Sequence, residues 1–146
     1  MEVDPSSFIS KKDKIFFATA KEVSKFSDHR CKLGCVIIDH HKIISSGFNS
    51  KTKCHRLQAE LDKKFFGMES AGPKHAEFTA LLPLIKKKVD LTNATLYVYR
   101  ETADHNLAMA RPCPRCMSLI KKYGIKKIKY TTPDGFAVER VLKEED

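Results

Sequence analysis

The chain has 146 residues, 42% of them apolar, which suits one domain spanning 1–146 around one core and excludes wholesale disorder. Its longest apolar run, around Cys35 to Ile38, is far too short for a bilayer, and Met1-Glu2-Val3-Asp4-Pro5 lacks the basic and apolar regions of a secretory signal, so a cytoplasmic protein with no membrane partner is expected. Lys and Arg outnumber Asp and Glu by 27 to 18; the resulting +9 suits an anionic ligand, a free nucleotide or a nucleic acid, and suits a lysine-rich solvated surface equally well.

Five cysteines is an odd number, which argues against a fully paired disulfide scaffold. In a reducing compartment such residues bind metal or sit in the core. Cys31, Cys35 and Cys54 read as ordinary buried thiols.

The pattern predicts a helix over 11–27, with Phe16, Ala20, Val23 and Phe26 on one face. Strands follow at 31–39, with Val36, Ile37 and Ile38 in a buried run, and at 42–48, with His40-His41 as the turn between them. The stretch from Asn49 to Pro73 is long and polar, with room for a short helix near Leu57 to Phe66; loops of this kind often shape a binding site. A helix is expected from about residue 74, carrying His75, Glu77, Phe78, Leu81, Leu82 and Ile85. It stops in Lys86-Lys87-Lys88, cations that complement the negative helix end without any ligand. Pro83 inside it should kink it or remove a hydrogen bond.

Residues 94–99 read as a third strand and 114–123 as a helix with Cys116, Leu119, Ile120 and Tyr123 on one side and Gly124 as its cap. Residues 125–131 are a fourth strand, Thr132-Pro133-Asp134-Gly135 suits a type I turn, and 136–142 returns as a fifth strand. The order α-β-β-α-β-α-β-β gives an α/β domain with a parallel central pairing covered by helices. Few residues follow Thr131, too few for a further crossover helix and strand, so the last hairpin is expected to be antiparallel.

Two motifs carry chemistry. Lys74-His75-Ala76-Glu77 and Pro112-Cys113-Pro114-Arg115-Cys116 both fall at predicted helix starts, with Cys113 at the cap and Pro114 in the first helical position. A C-x-x-C at a helix start can aim both sulfurs at one metal. With His75 it makes three ligands of the types zinc prefers and leaves a fourth position open, as catalysis requires. Glu77 stands two residues from a ligand, where it can move protons to and from a water without binding the metal itself.

H-x-E followed by P-C-x-x-C is a zinc-deaminase signature, and the chain resembles the cytidine deaminase-like superfamily, most nearly its deoxycytidylate deaminases. The resemblance extends to Lys32 through Ile38, to Ile43 through Asn49 and to Cys116 through Tyr130, covering about residues 10 to 131. It implies a three-layer α/β/α fold with a mixed five-stranded sheet, one Zn²⁺ and a homo-oligomer. It also implies that Asn49 contacts the sugar hydroxyl of the substrate and that the backbone N–H of Ala76 contacts the base.

The leading reading is hydrolytic deamination of a cytosine (deoxy)nucleotide, deoxycytidylate first, to the uracil nucleotide and ammonia. Action on a base in single-stranded DNA or RNA, tRNA adenosine included, is the alternative that the positive charge and the 49–73 stretch permit. A non-catalytic, zinc-stabilised nucleic-acid-binding module is a third, against which Glu77 argues. Cys54-His55 could ligate a second zinc, and His29, Arg30 and His105 could touch phosphate or be plain surface residues. Phe65-Phe66 could stack on a base or pack.

Overall fold

The structure, a computed structural model, describes residues 2–3, 10–53 and 73–141. In chain order it contains β1 (Glu2–Val3), α1 (Lys11–Ser24), β2 (Leu33–Asp39), β3 (Lys42–Phe48), β4 (Ser50–Lys53) and β5 (Pro73–Lys74). Then come α2 (Ala76–Lys86), β6 (Thr95–Arg100), α3 (Pro114–Lys122), β7 (Lys127–Thr132) and β8 (Gly135–Arg140). The five expected strands form one mixed sheet in the order β8-β7-β6-β2-β3, with the two-residue β1 added at the β8 edge. β6 and β7 run parallel, and β7 and β8 form the expected antiparallel hairpin, with Thr132 opposite Gly135 at its turn.

The period-2 pattern of the central strands explains the layers. In β2, Cys35 and Ile37 face α2 and α3, while Val36 and Ile38 face α1; in β6, Leu96 and Val98 take the first face and Tyr97 and Tyr99 the second. Both faces are buried, as a central strand between two helix layers requires. The His40-His41 turn is seen as expected. Both residues have positive φ, 50° and 65°, the twist that a two-residue hairpin prefers.

Several boundaries differ from the sequence pattern. α1 ends at Ser24, and Phe26, beyond its cap at Lys25, is 74% exposed instead of lying in the core. Its place is taken by Phe17, whose ring meets Phe136 at 4.5 Å and Tyr97 at 5.2 Å. α2 begins at Ala76, with His75 as its cap instead of a helical residue, and Pro83 lies within α2 on its exposed side. The two ends of the polar stretch pair with each other as β4 and β5, a contact between residues too distant in sequence for local pattern to show. The expected helix near Leu57 to Phe66 lies outside the described residues, as do Cys54, His55, Phe65 and Phe66.

α1 is fixed to the sheet by one buried carboxylate. Ser10 caps α1, accepting from the Asp13 N–H at 3.0 Å, while the Asp13 side chain accepts from the Ser10 N–H at 3.2 Å. The other oxygen of Asp13 accepts from the Tyr97 hydroxyl at 2.5 Å and from Lys129 Nζ at 2.7 Å, so the first turn of α1 is tied to β6 and β7. Burial alone would raise the Asp13 carboxyl. The bonds from Lys129, Tyr97 and the Ser10 backbone outweigh it and hold the group below its usual 3.8.

A carboxylate lowered in the folded state stabilises the fold above its unfolded pKa, and that contribution is lost as pH falls through the lowered folded value. Asp13→Asn leaves the Lys129 charge half-buried without its partner and should cost about 3 kcal/mol at neutral pH. In thermal melts across pH, the gap between the variant and the parent should narrow as pH drops below about 4. A gap unchanged at low pH would contradict this account.

Candidate active site

The parallel pair fixes where the chemistry can sit. The chain leaves the C-terminal end of β6, crosses by α3 and enters β7, so α3 starts beside the C-terminal end of β6. α2, packed on β2 and β3, starts at the same end of the sheet. Gly47 makes that packing possible. A Cβ there would lie 2.6 Å from both the Ala76 carbonyl oxygen and the Ala80 nitrogen. Ser45 adds a hydrogen bond from its hydroxyl to the Ala80 carbonyl at 2.6 Å.

Each of the two helices begins on a site residue. His75 caps α2 and Cys113 caps α3, both with extended backbone and neither with a side-chain capping bond. Ser, Thr, Asp or Asn would satisfy a helix N–H there, a preference of about 1 kcal/mol over residues that cannot. Here both side chains turn outward to a common point. One donor atom from each of His75, Cys113 and Cys116 lies within 4.8 Å of the others, and Cys113 Sγ is 3.9 Å from His75 Nδ1. Among the described residues this is the one group of three or more His, Cys, Asp or Glu with metal-ligand geometry. Cys116 is buried, and His75 and Cys113 are half-buried. The donor set fits zinc: two sulfurs, one imidazole and no fourth protein ligand among the described residues.

The local electrostatics favour a thiolate at Cys113. A hydrogen bond from Cys116, then one from His75, holds the Cys113 thiol far below its usual range, at about 3. Donating that bond, together with burial, pushes Cys116 up. The hydrogen bond to Cys113 raises His75. Glu77 lies in the first turn of α2, 5% exposed, and burial pushes its carboxyl up to about 7. Behind it sits Cys35, fully buried, its thiol raised by burial and then by the Glu77 charge. Sequence patterning marked Cys35 as a core thiol, which it is, with no sign that it backs the site.

Ala76, the other expected substrate contact, is the first residue of α2. Its N–H is among the donors that a helix start leaves without an intrahelical partner. Asn49 is buried and held rigidly. Its carbonyl oxygen accepts from the Ser27 hydroxyl at 2.7 Å and the Leu33 N–H at 2.8 Å, and its amide donates to the Cys31 carbonyl at 2.6 Å. Among the described residues, the second N–H of that amide has no acceptor. Ser27 had no signal in the sequence, because its role depends on a residue twenty-two positions away.

The three residues read as phosphate contacts or plain surface residues are each engaged or exposed. Nδ1 of His29 accepts from the Cys31 N–H at 2.9 Å, and His105 pairs with Glu101 at 3.1 Å. Arg30 is exposed. Cys31 is half-buried, not fully buried, and its sulfur meets a guanidinium nitrogen of Arg100 at 3.3 Å.

A three-layer α/β fold with a His-Cys-Cys cluster across two helix starts defines a class of zinc-binding deaminase domains, and comparison places the chain there. Residues 10–132 match the cytidine and deoxycytidylate deaminase zinc-binding region, and the chain belongs to that family. It is 31% identical over 121 residues to an uncharacterized deaminase encoded in the luxG 3′ region of Aliivibrio fischeri, covering 82% of this chain and 72% of that protein. Its fold is similar to that of the dCMP deaminase of cyanophage S-TIM5, solved in complex with dCMP and dUMP. The TM-score is 0.59 at 23% identity, over 84% of this chain and 82% of that one. It is similar also to cytidine deaminase from Burkholderia pseudomallei, at TM-score 0.60 and 16% identity, over 91% and 94%. Among the described residues, no helix is long and apolar enough to cross a membrane.

If the cluster is a metal centre, the purified protein should carry one zinc per chain. Cys113→Ser should lose most of it by elemental analysis. A fully zinc-loaded Cys113→Ser protein would rule out this ligand set.

Proposed function

We propose that this chain is a zinc-dependent hydrolytic deaminase of a cytosine nucleotide, with deoxycytidylate as the preferred substrate. The convergence of His75, Cys113 and Cys116 within 4.8 Å, with the buried Glu77 two residues from the histidine, carries the reading. Zinc held there would supply Lewis acidity, lowering the pKa of a coordinated water to about 7. Glu77 is the general base and then the general acid. Its carboxylate takes the proton released as water adds to C4 of the base and passes it to the ring nitrogen N3; it then carries the proton of the new C4 hydroxyl to the exocyclic nitrogen, which leaves as ammonia as the C4 carbonyl forms. The balance is cytosine plus water to uracil plus ammonia.

The Ala76 N–H faces the base in this reading, and the remaining Asn49 N–H donates to a sugar oxygen. The bonds from Ser27 and Leu33 keep that amide from rotating, which supports its use as a preset contact.

Glu77→Gln keeps the shape and loses the proton transfer. It should retain zinc and fold while turnover falls by about 10²–10⁴-fold or more. Near-normal turnover in the zinc-loaded variant would remove Glu77 from this role.

The substrate class is tested by incubating the zinc-loaded protein with deoxycytidylate, deoxycytidine and a cytosine-containing oligonucleotide at two salt concentrations, with products read by mass. Deoxycytidylate should be turned over best, with weak salt dependence. A single strand that engages several phosphates loses affinity with a slope of about −0.7 per phosphate in log–log terms. Turnover of the oligonucleotide alone, with that steep dependence, would overturn the free-nucleotide assignment and make the protein a polynucleotide deaminase.

A further inference from the structure

The end of the sheet opposite His75 and Cys113 holds a second concavity. α3 ends there and β7 begins there, while β8 ends there. Between them is a groove of about 520 Å³ whose cations are Lys121, Lys126, Lys127 and Arg140 and whose apolar floor includes Ile125 and Val141. Among the described residues, no carboxylate lines it.

Ordinary helix chemistry accounts for Lys121 but not for the other three. α3 closes on Gly124, with φ of +89°, and the last carbonyls are satisfied by the backbone: Ile125 N–H to Ile120 O at 3.2 Å and Gly124 N–H to Lys121 O at 3.2 Å. Lys126, Lys127 and Arg140 lie beyond that cap. Lys127 and Arg140 are direct cross-strand partners in the β7–β8 ladder, so two like charges stand opposite each other, an arrangement that opposes pairing unless an anion sits between them. Val141 N–H donates to the Lys126 carbonyl at 2.7 Å, which holds the two strand ends at this spacing.

Among the described residues, no carboxylate pairs with Lys121, Lys127 or Arg140. Asp90 acts on Lys126 only at long range, and both a backbone N–H and the hydroxyl of Thr92 already bind its Oδ1, at 3.0 and 2.5 Å. Four cations over an apolar floor in a concave wall focus positive potential. The volume is that of a small-molecule site and not of a strand-long track.

We propose that this groove is an anion site for a linear oligophosphate, either inorganic or carried by a nucleoside whose base rests on Ile125 and Val141. Its cations line one groove from a helix end and two strand ends, within reach of a compact ligand with adjacent phosphates. It stands at the other end of the sheet from the proposed zinc ligands and does not depend on the substrate assigned there.

The test is a titration of the zinc-loaded full chain with tripolyphosphate at about 0.15 M ionic strength, followed by amide NMR, with zinc content checked afterwards. The amides of Gly124, Ile125 and Val141 should shift and saturate at one equivalent, while those of Ala76 and Glu77 stay in place. A Lys127→Gln, Arg140→Gln double variant should weaken binding by about tenfold or more. It should melt no lower than the parent, because the substitution removes a like-charge pair. If it fails to fold, Lys121→Gln with Lys126→Gln serves instead. Lys11→Gln with Lys14→Gln, which removes as much charge from the exposed face of α1, should leave binding unchanged.

A nucleoside triphosphate that binds more tightly than tripolyphosphate identifies the nucleotide source, and equal affinities identify the inorganic one; either supports the site. Equal weakening in the α1 variant would reduce the effect to net charge and overturn it. A single-stranded oligonucleotide binding more tightly than both anions, and losing affinity in the double variant, would make the groove a nucleic-acid interface and overturn it too. So would a binding gain of about tenfold when Glu144, Glu145 and Asp146 are changed to Gln, since the cations would then serve the chain's own carboxylates.

Discussion

One parallel pairing governs where everything else can be. Thr95 to Val98 run alongside Lys127 to Tyr130 in the same direction, so the chain between them must return along the sheet, and α3 makes that return. α3 therefore begins where β6 ends. α2, set against β3 through Gly47, begins at the same end. Two helix starts, each with unsatisfied N–H groups and partial positive charge, thus face one another over one edge of the sheet. A cluster of thiolates, an imidazole and a carboxylate needs such surroundings.

Neither helix uses its cap residue for its own stability. His75 and Cys113 stand where Ser, Thr, Asp or Asn would do more for the helix. The loss is offset by packing. α2 buries Phe78, Ala80, Leu81, Leu82 and Leu84, and α3 buries Cys116, Met117, Leu119 and Ile120, so neither helix depends on its first turn to stay in place. The site is built from residues that are poor for local structure and tolerated because the layers behind them are well packed. Glu77 carries the same cost, being a carboxylate inside the first turn with burial working against its charge.

Much of this was legible in the sequence because it is local. The helical spacing of α3, the alternation in β6, the His40-His41 turn and the cap at Gly124 all follow from neighbours within a few residues. The His-x-Glu and Cys-x-x-Cys motifs were legible for the same reason, although their meeting depends on the crossover. What could not be read depends on distant partners. The α1 boundary was overrun because Phe26 continues the helical spacing, and only the tertiary contact of Phe17 with Phe136 and Tyr97 shows which phenylalanine is core. The β4–β5 pairing, the Ser27 support of Asn49 and the Asp13–Lys129 link each join residues that no short window contains.

Net charge was the least informative sequence feature, and the structure shows why. A formal +9 permits a nucleotide, a polynucleotide or a plain solvated surface, because it says nothing about position. In the fold, the lysines of α2 and α3 lie at the helix C-termini, and Lys126, Lys127 and Arg140 at strand ends beside them, all at the end remote from the two helix starts. Near the site, Arg111 is held by Glu139 in a two-pronged pair at 2.8 and 2.9 Å, and Arg100 is engaged by the Met109 carbonyl and Cys31. Arg115, between the two cysteines, acts on His75 through its charge. Under the proposed function, the Ala76 N–H and the amide of Asn49 would be neutral contacts to a nucleotide, needing no cation of their own. A single net charge therefore sums cations beside the site, cations held by carboxylates and cations at helix ends, and only their positions tell them apart.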